Sequence, residues 1–333
     1  MIKTLLRTVA AVAVVAALAL PVQAADAPAK VKLILPTAIT TFMLPYLVSA
    51  DQGWFKANGL DVEEVFVAGD STALRTVISG AGDLTVVGPF TVFEAAINGA
   101  KVKAIGSWQP IVDYRLVADK DVAKNLKDLE GKTFASAGPA DMTTELPKMV
   151  MKKHGFDGST LKFIQIGGHP ARLQAVEAGK VQAAMINTLM SVKGEMDGKT
   201  VTISKITDDF TTFGYVSITA TDANLANPER RKAYEIFLKG SVLGARFVMQ
   251  HPDEAAAVLK KRDPDQDLPM IKRVVAELNG MKVWGINGGN DAAVLGFTSK
   301  TAVDLKMSDR EVKLEEVMDN SLQDKVIAEI GKM

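Results

Sequence analysis

The chain has 333 residues, 47% of them hydrophobic, with 39 basic against 39 acidic side chains and no cysteine. Balanced charge gives no pull towards nucleic acid or an anionic membrane surface, so neither is expected as a partner. The missing cysteine excludes disulfides, thiolate catalysis, cysteine-bound zinc and a lipid-modified N-terminal cysteine; the core alone must hold the fold, and the chain is long enough for two lobes of ordinary size.

Lys3 and Arg7 precede an unbroken apolar run of twelve residues at 9–20, with Val22 and Ala24 at the small positions a signal peptidase reads. This pattern predicts a secretory signal over residues 1–24, cut after Ala24, because such a run is too short to cross a bilayer. Export without a lipid site points to a Gram-negative periplasm.

The strand VKLIL (31–35) follows, then the turn TAITTF (37–42). A helix is expected through Leu44, Leu47, Val48, Trp54 and Phe55, ending at Asn58-Gly59, where a left-handed backbone is tolerated. DVEEVFVAG (61–69) reads as a strand, DSTALRTVISG (70–80) as a short helix, and DLTVVGPF (83–90) as a strand ending in a Gly-Pro turn. The order then repeats through GKTFASAG, a helix ending at His154-Gly155, LKFIQIGGH, PARLQAVEAGK and VQAAMIN (181–187). At a constant offset of 99, Asp70 falls on His169, Leu74 on Leu173, Val77 on Val176, Gly80 on Gly179 and Gly88 on Asn187. Two α/β lobes with related strand–helix–strand layouts are expected, in preference to one continuous doubly wound sheet.

The segment reaching Tyr114 and the β-rich FTTFGYVSITA (210–220) flank the second half and read as two crossings between lobes. They assign residues 30–114 and 217–333, including the C-terminal helices, to lobe I and residues 115–216 to lobe II. The last third is mainly helical, punctuated by Pro228, Pro252 and Gly280.

Reactive chemistry is sparse. Of three histidines, His154 at a helix exit and His251 before Pro252 read as capping or surface groups, and only His169 occupies a strand-end loop. No H-E-x-x-H or G-x-S-x-G pattern is present, and ASAGPADMTT (135–144) has neither a G-K-[ST] ending nor dinucleotide glycine spacing. The expectation is a protein that is not an enzyme and needs no cofactor or metal. The turns do suit binding, since a small-residue turn running into a helix offers backbone N–H groups to a ligand. Ser136, Asp141 or Thr143 equally suits the capping of its own helix. Ligands of open α/β sheets lie beyond the carboxyl ends of the strands, so two facing lobes would frame a cleft. Arg75, Arg115 and Arg172 are the available carboxylate or sulfonate partners, with Arg172 nearest a candidate turn.

These motifs resemble a known family. ADQGWFKANGLDVE (50–63), LRTVISGAGDLTVVG (74–88), DLEGKTFA (128–135) and RLQAVEAGKVQAAM (172–185) are similar, in this order, to segments of the NMT1/THI5-like periplasmic substrate-binding proteins of ABC importers, a group that includes nitrate, sulfonate and taurine binders. The resemblance implies a type II periplasmic-binding fold, two α/β lobes joined by two crossings with the ligand cleft between them. It further implies a monomer that closes on a small organic solute, with an organic sulfonate or carboxylate favoured, and delivers it to an ABC permease in the inner membrane. A ligand-sensing partner of a membrane receptor, or a pyrimidine or thiamine-precursor enzyme of the same fold, is the alternative. Thr40, Thr41, Phe42, Asp70, Ser71, Pro89 and Phe90 would line lobe I, and Ser136, Gly138, Met142, Thr143, His169 and Asn187 lobe II. By residue type, Arg172 would meet an anion, and Trp108, like Phe42, Phe90 and Met142, equally suits an apolar ligand surface or the core. One departure is Gln182, which stands where the family's second-lobe segment has aspartate; Asp83 keeps that residue in the first.

Overall fold

The computed structural model describes residues 28–139 and 141–333, so the secretory-signal reading lies outside the described residues. Among the described residues ten strands form two five-stranded sheets: β1 (Ala29–Leu35), β2 (Leu60–Phe66), β3 (Leu84–Val87), β4 (Val102–Gly106), β5 (Arg115–Asp119), β6 (Thr133–Ser136), β7 (Lys162–Gln165), β8 (Ala183–Ile186), β9 (Thr200–Lys205) and β10 (Ser217–Thr221). The sheet orders are β2-β1-β3-β10-β4 and β7-β6-β8-β5-β9. In both, the first three strands are parallel and the fourth is antiparallel to its neighbours. That fourth strand, β10 or β5, is the one that has just arrived from the other lobe, so each sheet is completed by a crossing.

The helices that matter for the site are α1 (Leu44–Asp51), α2 (Asp70–Ile78), α3 (Pro89–Ile97), α4 (Met142–Lys153), α5 (His169–Glu177), α6 (Thr188–Met196), α7 (Pro228–Gln250), α8 (Pro252–Arg262), α9 (Leu268–Gly280) and α10 (Ala292–Asp304). The internal repeat is visible in their boundaries: α2 and α5, β3 and β8, and α3 and α6 each begin 99 residues apart. Both β3 and β8 are buried at every position, as expected for parallel strands covered on both faces. The Asp-to-Gln departure leaves the repeat's hydrogen bond in place. Asp83 accepts the Lys32 N–H at 2.8 Å, and the Gln182 amide oxygen accepts the Thr133 N–H at 3.1 Å. An amide oxygen does the carboxylate's work here because the partner is a backbone donor.

One expected helix is divided. The run through Leu44 and Phe55 breaks at Gly53, whose φ of +70° ends α1 before the short turn Trp54–Ala57 begins. In the other crossing only β10 is a strand, while residues 210–216 run as a connector. The two crossings pair with each other: the Val112 N–H donates to the Phe213 carbonyl and the Tyr215 N–H to the Pro110 carbonyl, both at 3.0 Å. This short antiparallel ribbon is the link between the lobes.

The C-terminal helices brace lobe I and reach lobe II. Helix α7 starts where the Asn227 side chain accepts the N–H groups of Glu229 and Arg230, with Pro228 at its first position. It crosses α1 so closely that a Cβ on Gly244 would lie 1.8 Å from the Pro45 carbonyl oxygen. From the α8–α9 hairpin, Glu277 reaches Arg115, which is 1% exposed at the start of β5, at 2.5 Å. Glu277 also takes Arg273 at 2.8 Å, and Arg273 pairs in turn with Glu195 on α6. Burial pushes the Glu277 carboxyl up, but Arg115 and Arg273 outweigh it and hold the group below its usual range. The chain of charges ties α9 to lobe II at two points.

Gly244→Ala is expected to lower stability by about 1–3 kcal/mol, because the backbone contact cannot yield without parting α1 from α7; thermal unfolding checks this. Glu277→Gln should cost about 2–3 kcal/mol, since it strands the buried Arg115 charge while the partial exposure of the pair tempers the loss. Chemical denaturation of the two chains side by side reads that difference.

Candidate functional site

A cavity of about 480 Å³ opens between the lobes, beyond the carboxyl ends of the parallel strands. Lobe I contributes the loop after β1 (36–40), Phe42, Asp70 at the start of α2, and Gly88 after β3. Lobe II contributes Met142 at the start of α4, Gly168 to Pro170 at the start of α5, and Asn187, Leu189 and Met190 at the start of α6. Tyr114 and Tyr215 come from the two crossings, and Gln266 comes from the α8–α9 hairpin. Helix starts thus converge on the cavity from both sides, the arrangement that strand–turn–helix units produce.

An aromatic series runs through it from lobe to lobe. His169 meets Tyr114 edge to face at 5.0 Å, Tyr114 meets Tyr215 at 5.7 Å, and Tyr215 meets Phe42 at 5.9 Å. Phe42 then stacks on Trp108 at 6.5 Å. Such contacts fix ring orientation beyond simple area burial. Burial pushes both phenols above their ordinary range, so they remain neutral, and neither hydroxyl is hydrogen-bonded to another described residue.

His169 is held in one tautomer. Its Nδ1 faces the Arg172 Nη2 at 2.8 Å and the Asn187 backbone N–H at 3.2 Å. Arginine and a peptide N–H can only donate, so Nδ1 is an acceptor and the ring proton sits on Nε2. Burial, helped by the Arg172 charge, pushes the His169 pKa down to about 3. The result is a neutral imidazole presenting an N–H donor. Arg172 itself is 2% exposed, donates to the Gly167 carbonyl and forms no ion pair among the described residues. Its charge lies behind the lobe II wall. On the lobe I wall, Asp70 Oδ2 accepts the Gly88 N–H at 2.7 Å, and burial raises the carboxyl against the pull of that hydrogen bond.

Of the residues expected from the sequence, Thr40, Phe42, Asp70, Met142, His169 and Asn187 line this cavity. The others lie outside it. Thr41 is buried under the loop, and Ser136 is 2% exposed within β6. Thr143 serves the cap of α4: Asp141 accepts its N–H at 2.8 Å, and its own Oγ1 accepts the Ala137 N–H at 2.8 Å. The Gly138 carbonyl is occupied by the Thr144 hydroxyl at 2.7 Å. Trp108 is wholly buried, with its indole N–H on Ser241 at 2.9 Å. Pro89 packs near Gly214 and Phe90 against Phe213, both at the hinge, and Ser71 sits in a separate surface hollow beside Arg75. No arginine reaches the cavity among the described residues: Arg172 is committed behind His169, Arg115 to Glu277, and Arg75 to the Thr72 hydroxyl.

Tyr114 and Tyr215, in the crossings, also line the wall, a role the sequence does not single out. Their aromatic character in otherwise β-rich connectors was the available signal. Gln266 carried none, because a hairpin between late helices is brought to the cavity only by folding.

The locked imidazole has a measurable consequence. The unfolded chain accepts a proton on this histidine near the ordinary value of 6.5 while the folded chain resists it down to about 3. Its contribution to stability is therefore full above 6.5 and declines as pH falls towards 3. Nitrogen NMR of the ring should show the Nε2–H tautomer persisting across that window, and His169→Gln should flatten part of the acid-side loss of stability.

The comparisons with known proteins agree with this architecture. The NMT1/THI5-like family matches residues 40–255. YtlA of Bacillus subtilis (strain 168), whose name marks it as a suspected binding protein, is 28% identical over 126 residues; the match spans 35% of this chain and 36% of the length of that relative. A solved protein from Bordetella bronchiseptica RB50 superposes with a TM-score of 0.71 at 19% identity, covering 91% of this chain and 98% of its own. The periplasmic aliphatic sulphonate-binding protein SsuA of Escherichia coli gives 0.68 at 14% identity, covering 88% and 92%. The periplasmic nitrate-binding protein NrtA of Synechocystis PCC 6803 gives 0.70 at 11% identity, covering 91% and 89%. At such identities the superpositions speak for the fold, and the family match speaks for descent. The chain belongs to the NMT1/THI5-like family and is built on the two-lobed type II periplasmic-binding fold.

Proposed function

We propose that this chain is the periplasmic solute-binding component of an ABC importer, acting as a monomer that captures a small organic acid, a sulfonate or carboxylate, and delivers it to a permease in the inner membrane. The observation that carries this reading is the lobe II wall. His169 offers a fixed N–H donor, the Arg172 charge stands unpaired behind it, and the first-turn N–H groups of His169 and Leu189 form no hydrogen bond among the described residues. Together they favour an acidic group without a cationic side chain in contact with it. Phe42, Ile39, Met142, Leu189 and Met190 give the cavity an apolar body. About 480 Å³ is generous for a bare inorganic anion and ordinary for a small organic ligand.

The aliphatic sulphonate named for the Escherichia coli relative supports the same class, while the nitrate named for the Synechocystis relative fits this roomy, largely apolar cavity less well. Binding rather than turnover follows from the imidazole. Its Nδ1 already accepts two donors and its Nε2 is protonated, so it has no free lone pair with which to act as a base. The two lobes are joined by a paired ribbon and by the contacts of α9 with lobe II, and a ligand bridging them favours the closed arrangement by as much as it binds that arrangement better.

Calorimetric titration of the protein, freed of residues 1–24, with alkanesulfonates and aromatic carboxylates tests the reading. Binding is expected, together with a rise in Tm that corresponds to about 2.7 kcal/mol at a hundredfold excess over Kd. His169→Gln should weaken affinity roughly tenfold through the loss of one oriented donor, whereas Ser136→Ala should leave it unchanged. Indifference to every member of both classes would sink the proposal.

A further inference from the structure

Asp70 is the one carboxylate on the cavity wall among the described residues, and its charge has no partner there. One oxygen accepts the Gly88 N–H at 2.7 Å; no ion pair includes the residue, and no lysine or arginine among the described residues lines the cavity. An ionised carboxylate has about four lone-pair sites, so a single hydrogen bond leaves most of its accepting capacity open to the cavity. A half-buried carboxylate left in that condition is costly unless another donor arrives. The neutral groups that share the cavity wall do not neutralise it: Thr37, Thr40 and the Tyr215 phenol carry no charge. The opposite wall is of the other character, with the His169 Nε2–H in front and the buried Arg172 charge behind. The cavity is therefore polarised from lobe to lobe, accepting on lobe I and donating on lobe II.

Resting on the organic-acid reading above, we propose that Asp70 determines specificity by accepting a hydrogen bond from a protonated amine or ring N–H of the solute. The ligand is then amphoteric. Its acidic group meets the starts of α5 and α6, its donor meets Asp70, and an apolar body between them lies against Phe42, Met142 and Tyr215. Each lobe holds one end of the molecule, which couples occupancy to closure, since neither wall alone satisfies both ends. A simple alkyl acid would instead leave the Asp70 charge facing methyl groups, and the site would discriminate against it.

Two isosteric pairs of probes separate the possibilities: 3-aminopropane-1-sulfonate against butane-1-sulfonate, and 4-(aminomethyl)benzoate against 4-ethylbenzoate. In each pair an ammonium replaces a methyl group of similar size. The wild-type protein should bind the amino member of at least one pair about tenfold or more tightly than its methyl partner, the difference a charge-assisted hydrogen bond supplies. Asp70→Asn keeps an oxygen for the Gly88 N–H and removes the charge. It should erase that preference, weakening the amino member and tightening the methyl member, whose methyl group then no longer faces a charge. Wild-type protein that binds the methyl members as well as or better than the amino ones overturns the assignment of Asp70 and leaves the organic-acid reading standing. An amino preference that survives in Asp70→Asn also overturns it. Wild-type protein that binds neither member of either pair overturns the organic-acid reading, and the assignment of Asp70 falls with it.

Discussion

The antiparallel pairing of the two crossings is the constraint on which the rest depends. Each sheet takes its fourth strand from a segment that has just left the other lobe, so neither sheet is complete without both passages. Where the passages run side by side, backbone hydrogen bonds between residues 110–112 and 213–215 hold them at a fixed register. That register places Tyr114 and Tyr215 edge to face at the floor of the cleft, and through them ring contacts extend to His169 on one side and Phe42 on the other. Gly214 is pressed between Pro89 and Thr298, whose hydroxyl accepts the Gly214 N–H at 2.8 Å, so α10 packs directly on the hinge.

Around that floor, the walls differ in what they offer. Lobe II fixes a donor by indirect means: Arg172 lies out of contact with the cavity but dictates the tautomer of the histidine that lines it. Buried positive charge usually finds a carboxylate. Here it finds a carbonyl and an imidazole, and its field remains available to whatever enters. Lobe I carries the reverse polarity at Asp70. The α8–α9 hairpin adds a third element that neither half-repeat contains, with Gln266 at the cavity and Glu277 bonded to the root of lobe II. Motion at the hinge must therefore be accommodated by the contacts of this hairpin as well as by the ribbon.

The internal repeat connects these features to their origin in the chain. Asp70 and His169 occupy equivalent positions at the starts of α2 and α5, 99 residues apart, and each lines the cavity from its own side. The two half-repeats have thus diverged at one position into an acceptor and a donor. At another, Asp83 and Gln182, they have diverged in residue but kept the hydrogen bond, because a backbone N–H needs only an oxygen. A position that answers to the chain's own backbone tolerates such exchange, whereas Asp70 and His169 give the two cavity walls opposite hydrogen-bonding character.

The sequence by itself determined what is local. The strand–helix–strand order, the glycines that end helices and the repeat offset all follow from near-neighbour sterics and hydrophobic periodicity, and they led to the two-lobed architecture. Gly53 escaped that reading because a periodic run does not reveal that one residue adopts φ of +70° and divides the helix. Tertiary structure alone decided which turn residues reach the cavity. Thr143 and Asn187 both stand at helix starts, yet Thr143 turns into its own cap while Asn187 caps and also lines the wall. Trp108 and Phe90, equally suited to a ligand surface by composition, were drawn into the core and the hinge. Side-chain direction depends on partners distant in the chain, such as Ser241, 133 residues beyond Trp108, and Gln266 meets the cavity only because its hairpin folds back onto it; no local pattern encodes those meetings.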